Sequence, residues 1–349
     1  MVIFGAGASF DSDPSHPSTG PGGAGGMRIP LAGDLFWAGY GEFAARYPAC
    51  QGLLRRLRAA APDIEPELER IRGEARRKTF MLRELEAIRY YLQTLIRAQE
   101  DSWLSQLRDH VTNYTLLLQE TEEWREERGE EVALVSFNYD RLLDRACRSV
   151  VPELRLRRVS DYGHGASHFV FKLHGSTDWH EELTLLSGPR PTGGGDDIAN
   201  QLIDMSTAVQ ATGRYAMDGE QLDGDWGPLR PAIAIPMVTK GGDDFACPRQ
   251  QIEHLAQVIP LVSDLVVIGW RGQEQHFHDL WRTTVQRGRK TLLRRLLVVD
   301  ASKEAAEGIS TRVRGAMSLS PGVLSEAIGD GFSAALQAGV FKRFLEAEA

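Results

Sequence analysis

Asn138 and Asp140 stand two residues apart after the apolar run Val132–Phe137, and His174 follows His168–Leu173 and precedes Gly175-Ser176. An amide and a carboxylate at such a junction can both face a crevice, where they are able to hold a ribose and an amide. An imidazole exposed at a strand end titrates at about 6.5 when unperturbed, which suits base work near neutrality. Two further segments complete the set: Gly5-Ala6-Gly7-Ala8-Ser9 after an apolar start, and Ile268-Gly269-Trp270 after another. Glycines allow backbone to approach a pyrophosphate and let successive N–H groups point at it.

Each segment also has a plainer reading. Glycine makes up 35 of 349 residues, so Gly-x-Gly arises by chance roughly three times, and Gly23-Ala24-Gly25 and Gly163-His164-Gly165 match as well. A tight turn explains Gly5-Ala6-Gly7 as readily as phosphate does. Asn138 or Asp140 can cap a helix, and a single histidine is commonly structural. What sets these segments apart is their common position. Each lies where a strand should end, and open α/β sheets bind ligands at the carboxyl ends of their strands.

A dehydrogenase-type dinucleotide site fits poorly. Its third glycine falls on Phe10, and the stretch that should hold a second strand and a ribose-binding acid is instead rich in Pro, Ser and Gly from Asp13 to Gly26. That composition predicts a mobile loop. Leu31–Tyr47 restores helical spacing. Glu65–Glu127 is rich in Glu, Arg, Leu and Ala, with a stripe through Leu82, Leu85, Ile88, Tyr91, Leu92 and Leu95, and reads as inserted helices. Strands are expected at Met1–Phe4, Val132–Phe137, Leu154–Val159, His168–Leu173, Ala232–Ile235, Leu265–Ile268 and Leu296–Val299. Short apolar runs alternating with helical stretches predict an α/β fold, a Rossmann-like, mainly parallel sheet with helices on both faces and a helical insertion. Gly188–Gly227 reads as a lid or a disordered excursion. A strand so close to Met1 is unusual and points to a start further upstream.

The chain is 42% hydrophobic and 25% charged with a net charge of −8, so it carries no general polyanion-binding signature. The basic runs Arg55-Arg56-Leu57-Arg58, Arg76-Arg77-Lys78 and Arg287-Gly288-Arg289-Lys290 read as solvated helix faces. Cys50, Cys147 and Cys247 form no Cys-x-x-Cys pair, which argues against a zinc ribbon or a disulfide framework. The carboxylates of Gly188–Gly227 have no accompanying histidine or regular spacing, so no metal is expected. No apolar run reaches the roughly 18 residues of a membrane span, and no secretory leader is visible. The expected location is the cytoplasm, with no membrane partner.

The four segments, in this order, resemble the sirtuin (SIR2) family, and specifically its prokaryotic branch that hydrolyses NAD. Asn138-Tyr139-Asp140 resembles the sirtuin Gln-Asn-Ile-Asp, with Phe137 in place of Gln and Tyr139 in place of Ile. His174-Gly175-Ser176 matches the sirtuin His-Gly-Ser. Ile29-Pro30 matches an Ile/Leu-Pro pair of the cofactor loop, although Leu31-Ala32 replaces the usual Phe-Arg. Gly269-Trp270-Arg271 stands where Gly-Tyr/Thr-Ser is usual. The resemblance implies His174 as general base, Asn138 on the nicotinamide ribose or attacking water, and Asp140 on the carboxamide. It also implies cofactor contacts from Gly5, Ala6, Gly7, Ser9, Phe10, Pro30, Tyr139, Gly269, Trp270 and Asp300, the last at an adenosine ribose or simply as a strand-to-helix cap.

Residues 1–31 and 131–310 would form the NAD-binding domain, 32–130 the helical insertion and 311–349 a C-terminal helical segment. The zinc cysteines of sirtuin deacylases are missing. The implied activity is NAD hydrolysis to nicotinamide and ADP-ribose in antiphage defence by abortive infection. The implied assembly is a homo-oligomer with an activating partner encoded nearby, such as a HerA-type ATPase or a short Argonaute. The alternatives are a non-catalytic NAD- or ADP-ribose-binding module, or a deacylase or ADP-ribosyltransferase.

Overall fold

The computed structural model describes residues 1–15, 28–61, 64–75, 77–222, 224–235, 245–286 and 292–347. Among them nine strands form: β1 (Val2–Phe4), β2 (Val132–Ser136), β3 (His168–Lys172), β4 (Gly175–Leu185), β5 (Val209–Met217), β6 (Leu229–Ile233), β7 (Asp264–Ile268), β8 (Arg295–Val299) and β9 (Leu324–Ile328). Six make one parallel sheet in the order β3-β2-β1-β7-β8-β9. Ile3 of β1 is paired with Val135 on one side and Val267 on the other. β1, β2 and β8 are buried along their whole length. Burial on both faces is why these segments are unbroken apolar runs. Counted along the chain, these six strands follow the doubly wound order 3-2-1-4-5-6, with its switch point between β1 and β7. The expected Rossmann-like α/β class is what the sheet shows.

The other three strands form a small antiparallel sheet, β5-β4-β6. His174 lies between β3 of the large sheet and β4 of the small one. The chain turns there through Gly175, whose φ is +76° and where a Cβ would come 1.8 Å from the Ala232 carbonyl oxygen. A residue with a side chain is excluded on both counts.

Several expectations are corrected. Leu154–Val159 is not a strand: Leu156 has φ +42°, and the segment runs into a 3-10 helix, Val159–Asp161. The Asp161 carboxylate ties this turn by accepting from the backbone N–H groups of Arg157 and Arg158. Leu154, Leu156 and Val159 are apolar because they are buried in the core beside the sheet, in a non-extended segment. The strand expected at Ala232–Ile235 is β6, and it belongs to the small sheet. Gly188–Gly227 holds the helix Gly195–Asp204 and strand β5. The C-terminal segment contains β9, an edge strand whose mixed exposure left no apolar run to detect. Leu31–Tyr47 breaks into 3-10 turns and one short helix, Gly41–Arg46, as its glycines disfavour a continuous helix. Most of the loop expected at Asp13–Gly26, together with Arg76 and Arg287–Lys290, lies outside the described residues.

The helical layer has its own core. Leu53, Leu54 and Leu57 of the helix Gln51–Ala60 meet Ile88, Leu92 and Leu95 of the long helix Thr79–Gln106. Each fully buried leucine contributes about 1.5–3 kcal/mol. The next helix, Asn113–Arg128, turns instead to the large sheet and buries Tyr114, Leu117 and Leu118 in that core. Gly175→Ala is expected to destabilise the fold by more than the roughly 1–3 kcal/mol that the positive φ alone costs, seen as a lower thermal midpoint. Gly73→Ala, in a helix with open space around its Cα, should leave the midpoint unchanged or raise it.

Candidate active site

A cavity of about 1010 Å³ lies at the carboxyl ends of β1, β2, β7 and β8, on the switch point of the sheet. All thirteen residues singled out from the sequence line it. They come from strand ends as far apart as Gly5 and Asp300, so parallel pairing is what gathers them.

The glycine turn, open to both a phosphate and a plain-turn reading, makes close loop-to-loop contacts. The Gly5 N–H donates to the Ile268 carbonyl and the Gly7 N–H to the Gly269 carbonyl, both at 3.0 Å. Neither is left to point at a phosphate. A Cβ on Gly7 would lie 2.8 Å from the Gly269 Cα, and one on Gly5 would lie 2.5 Å from its carbonyl oxygen. The glycines are small so that the β1 and β7 loops can touch. Trp270 is likewise largely core: its indole is 1% exposed and stacks on Phe137 at 5.0 Å and 5° beneath the cavity.

Asn138 is held from below. Its Nδ2 donates to the Gly5 carbonyl and the Ser9 hydroxyl at 2.9 Å and to the Tyr114 hydroxyl at 3.1 Å. These bonds turn the side-chain carbonyl into the group left for a ligand. The Asp140 carboxylate accepts from the Leu142 N–H at 3.1 Å, which starts the helix Leu142–Val150, and bonds Ser9 as well. Burial raises its pKa, and the nearby Lys172 ammonium opposes that rise.

Lys172 was not singled out from the sequence, and it is fully buried. Its Nζ donates to the Asp140 carbonyl at 2.5 Å, to Asp144 Oδ2 at 2.9 Å and to the Ser176 hydroxyl at 3.0 Å. Burial alone would raise Asp144, but Lys172 and the Tyr162 hydroxyl bring its carboxyl below the usual range. One buried ion pair thus ties the Asn138 loop to the His174 turn. The available signal was a lysine in an otherwise buried strand, since a buried charge requires partners.

His174 lines the cavity with Phe137, Tyr139 and His276 around its ring, at centroid distances of 5.0, 6.2 and 5.4 Å. This packing desolvates the imidazole and, with His276 beside it, pushes its pKa down to about 3. A hydrogen bond to the Phe137 carbonyl works in the other direction. That bond occupies one ring nitrogen as donor and presents the other as acceptor.

At the far end, Asp300 Oδ1 accepts from the Ala301 N–H at 2.8 Å, and burial raises its pKa. The cap of the following helix is Ser302, whose hydroxyl accepts from the Ala305 N–H, so Asp300 stands before the helix and lines the cavity. Among the described residues, six carboxylate residues line the cavity and only Arg271 and Arg312 bring positive charge. Arg312 comes from the helix Lys303–Ala316 and donates to the Arg271 carbonyl. Phe10 is covered by Arg28, which lies 5.6 Å over its ring and donates to its carbonyl at 2.8 Å. Among the described residues no group of three or more His, Cys, Asp or Glu is placed to hold a metal ion, and no helix is long and apolar enough to cross a membrane.

No protein-family model matches the sequence, and neither does any curated protein. Among solved structures, the chain is similar to a crystal structure of SIR2 with the inhibitor EX-527, 2′-O-acetyl-ADP-ribose and a deacetylated p53 peptide. The identity is 15%, covering 99% of this chain and 94% of that one, with a TM-score of 0.37. It is also similar to a structure described as the structural basis of sirtuin substrate affinity, at 16% identity over 85% and 80% of the two chains and a TM-score of 0.29.

The folded chain keeps His174 neutral where an unfolded chain protonates at its ordinary value of 6.5. Stability from this group is full above that value and falls as the pH drops toward 3. His174→Gln should therefore flatten the stability curve between about pH 6 and about pH 4, measured by thermal midpoints. A folded-state His174 imidazole resonance titrating at its unperturbed value would contradict the assignment.

Proposed function

We propose that the chain hydrolyses NAD to nicotinamide and ADP-ribose. The observation that carries this reading is the meeting of Asn138, Asp140 and His174 in one cavity at the switch point, with the glycine turn beside Asn138 and Asp300 also in the lining. The cavity lies at the upper end of the roughly 300–1,000 Å³ typical of ligand sites, which suits a dinucleotide. In this reading the Asn138 carbonyl orients a water at the ribose, and Asp140 accepts from the carboxamide. Water attacks C1′ while the C1′–N bond electrons return to the pyridinium nitrogen, leaving neutral nicotinamide. The free nitrogen of His174 takes the water proton. Positioning and fixed dipoles would supply most of the rate, because charge on the ribose develops only at the transition state.

A second reading, a module that binds NAD or ADP-ribose without turnover, is favoured by one observation. An imidazole held down to about 3 is a weak base.

The sequence motifs further support a role as a toxic effector of antiphage defence, active as a homo-oligomer once a partner encoded nearby engages it. A HerA-type ATPase or a short Argonaute is the expected kind of partner. The exposed Phe80 and Leu82 at the start of the long helix favour the helical layer as the assembly surface.

Purified protein, alone and with its genomic neighbour, should release nicotinamide from NAD, with turnover unaffected by EDTA. Asn138→Ala and His174→Ala should each lower turnover by about 100-fold or more without loss of the folded state. Tight NAD binding in calorimetry with no product from any preparation would select the binding module.

A further inference from the structure

One stripe of the long helix touches the segments that form one side of the cavity: the strands beside His174, the Asn138–Asp140 loop and the chain just past the glycine turn. Arg89, Gln93, Ile96, Glu100 and Trp103 recur at alternating steps of four and three, so they share a face. Arg89 donates to the Ile233 carbonyl at 2.7 Å, on the strand paired with Gly175. Gln93 donates to the Thr177 carbonyl at 2.9 Å, three residues beyond His174. Ile96 lines the cavity itself. Trp103 donates to the Ser12 hydroxyl at 2.9 Å, just past the helix Ala6–Phe10 that follows the glycine turn.

Glu100 makes the densest of these contacts, and its side chain is wholly buried. One carboxylate oxygen accepts the Arg141 backbone N–H at 2.9 Å and the other accepts its Nε–H at 2.9 Å. Arg145 Nε adds a third donor at 3.2 Å. Arg141 directly follows Asn138-Tyr139-Asp140, so its amide is the last backbone group of the loop that carries both site residues. The Arg141 guanidinium reaches Asp101 as well, at 2.8 Å.

We infer that Glu100 is a positioning residue for the Asn138–Asp140 loop, through which the helical layer sets the geometry of the site. A carboxylate is required because it alone presents two acceptor oxygens to a backbone N–H and a guanidinium together. A carboxamide would turn a donor toward one of them. The effect on turnover rests on the hydrolase reading, whereas the effect on the loop does not.

The test is Glu100→Gln in the full chain, read by hydrogen–deuterium exchange and by NAD turnover. Exchange over residues 137–142 should rise about tenfold while β7 and β8 keep wild-type protection. Turnover should fall roughly 10- to 100-fold with the dissociation constant for NAD within about threefold, because misplacement costs rate more than binding. Glu67→Gln is the control: this carboxylate is also buried and ion-paired, with Arg56 and Arg70, inside the helical layer. It should leave residues 137–142 unchanged. Glu100→Asp keeps both oxygens but draws them back, and should fall between wild type and Glu100→Gln. It serves if the glutamine variant does not fold. Wild-type exchange at 137–142 in Glu100→Gln, or acceleration spread equally over β7 and β8, would overturn the inference. If wild-type protein releases no nicotinamide while the exchange response is present, the hydrolase reading fails and the coupling stands.

Discussion

The whole site depends on a contact with no room for a methyl group. Gly5 and Gly7 of the β1 loop lie against Gly269 of the β7 loop, and their N–H groups donate to the Ile268 and Gly269 carbonyls. This contact closes the sheet at the point where its strand order reverses. The cavity wall on one side then comes from β2 and the β3–β4 turn, and on the other from β7 and β8. A side chain at any of the three glycines would force the strand ends apart. Anion binding by the same turn has to rely on groups other than these two amides, and among the described residues Arg271 and Arg312 are the cations that line the cavity.

Beneath that contact the polar groups form connected tiers. Asn138 rests on Ser9 and Tyr114, while Asp140 rests on Ser9 and the start of its own helix. Lys172 binds the Asp140 carbonyl, Asp144 and Ser176 from within the sheet. Buried ionic groups of this kind add little net stability compared with apolar packing, but they restrict the arrangements in which all partners are satisfied. The two loops that carry the proposed chemistry are therefore tied to one shared charge.

Much of this was legible from residue order. Strands buried on both faces announce themselves as apolar runs, so β2, β3, β7 and β8 were visible, and with them the positions of Asn138, His174, Gly269 and Asp300. The same rule misled at Leu154–Val159, where apolar residues are buried in the core without being extended. It failed at β9, where an exposed edge needs no apolar run. The duty of Gly5 and Gly7 was not legible, since close approach to a loop more than 260 residues away leaves the same glycines as a phosphate turn. Glu100 was hidden for a related reason: in a helix rich in acids, nothing local separates the one that is buried.

The cavity is lined by residues from Gly5 to Phe332, and this spread has a consequence for biosynthesis. A chain emerging from the ribosome has the glycine turn first and the Asn138 loop and His174 turn midway. It lacks the β7 and β8 wall until residues 264–299 have been made. No truncated or partly synthesised product ending before β7 can assemble the two sides of the site. The order of synthesis thus withholds the complete binding surface until the chain has been made as far as Phe332.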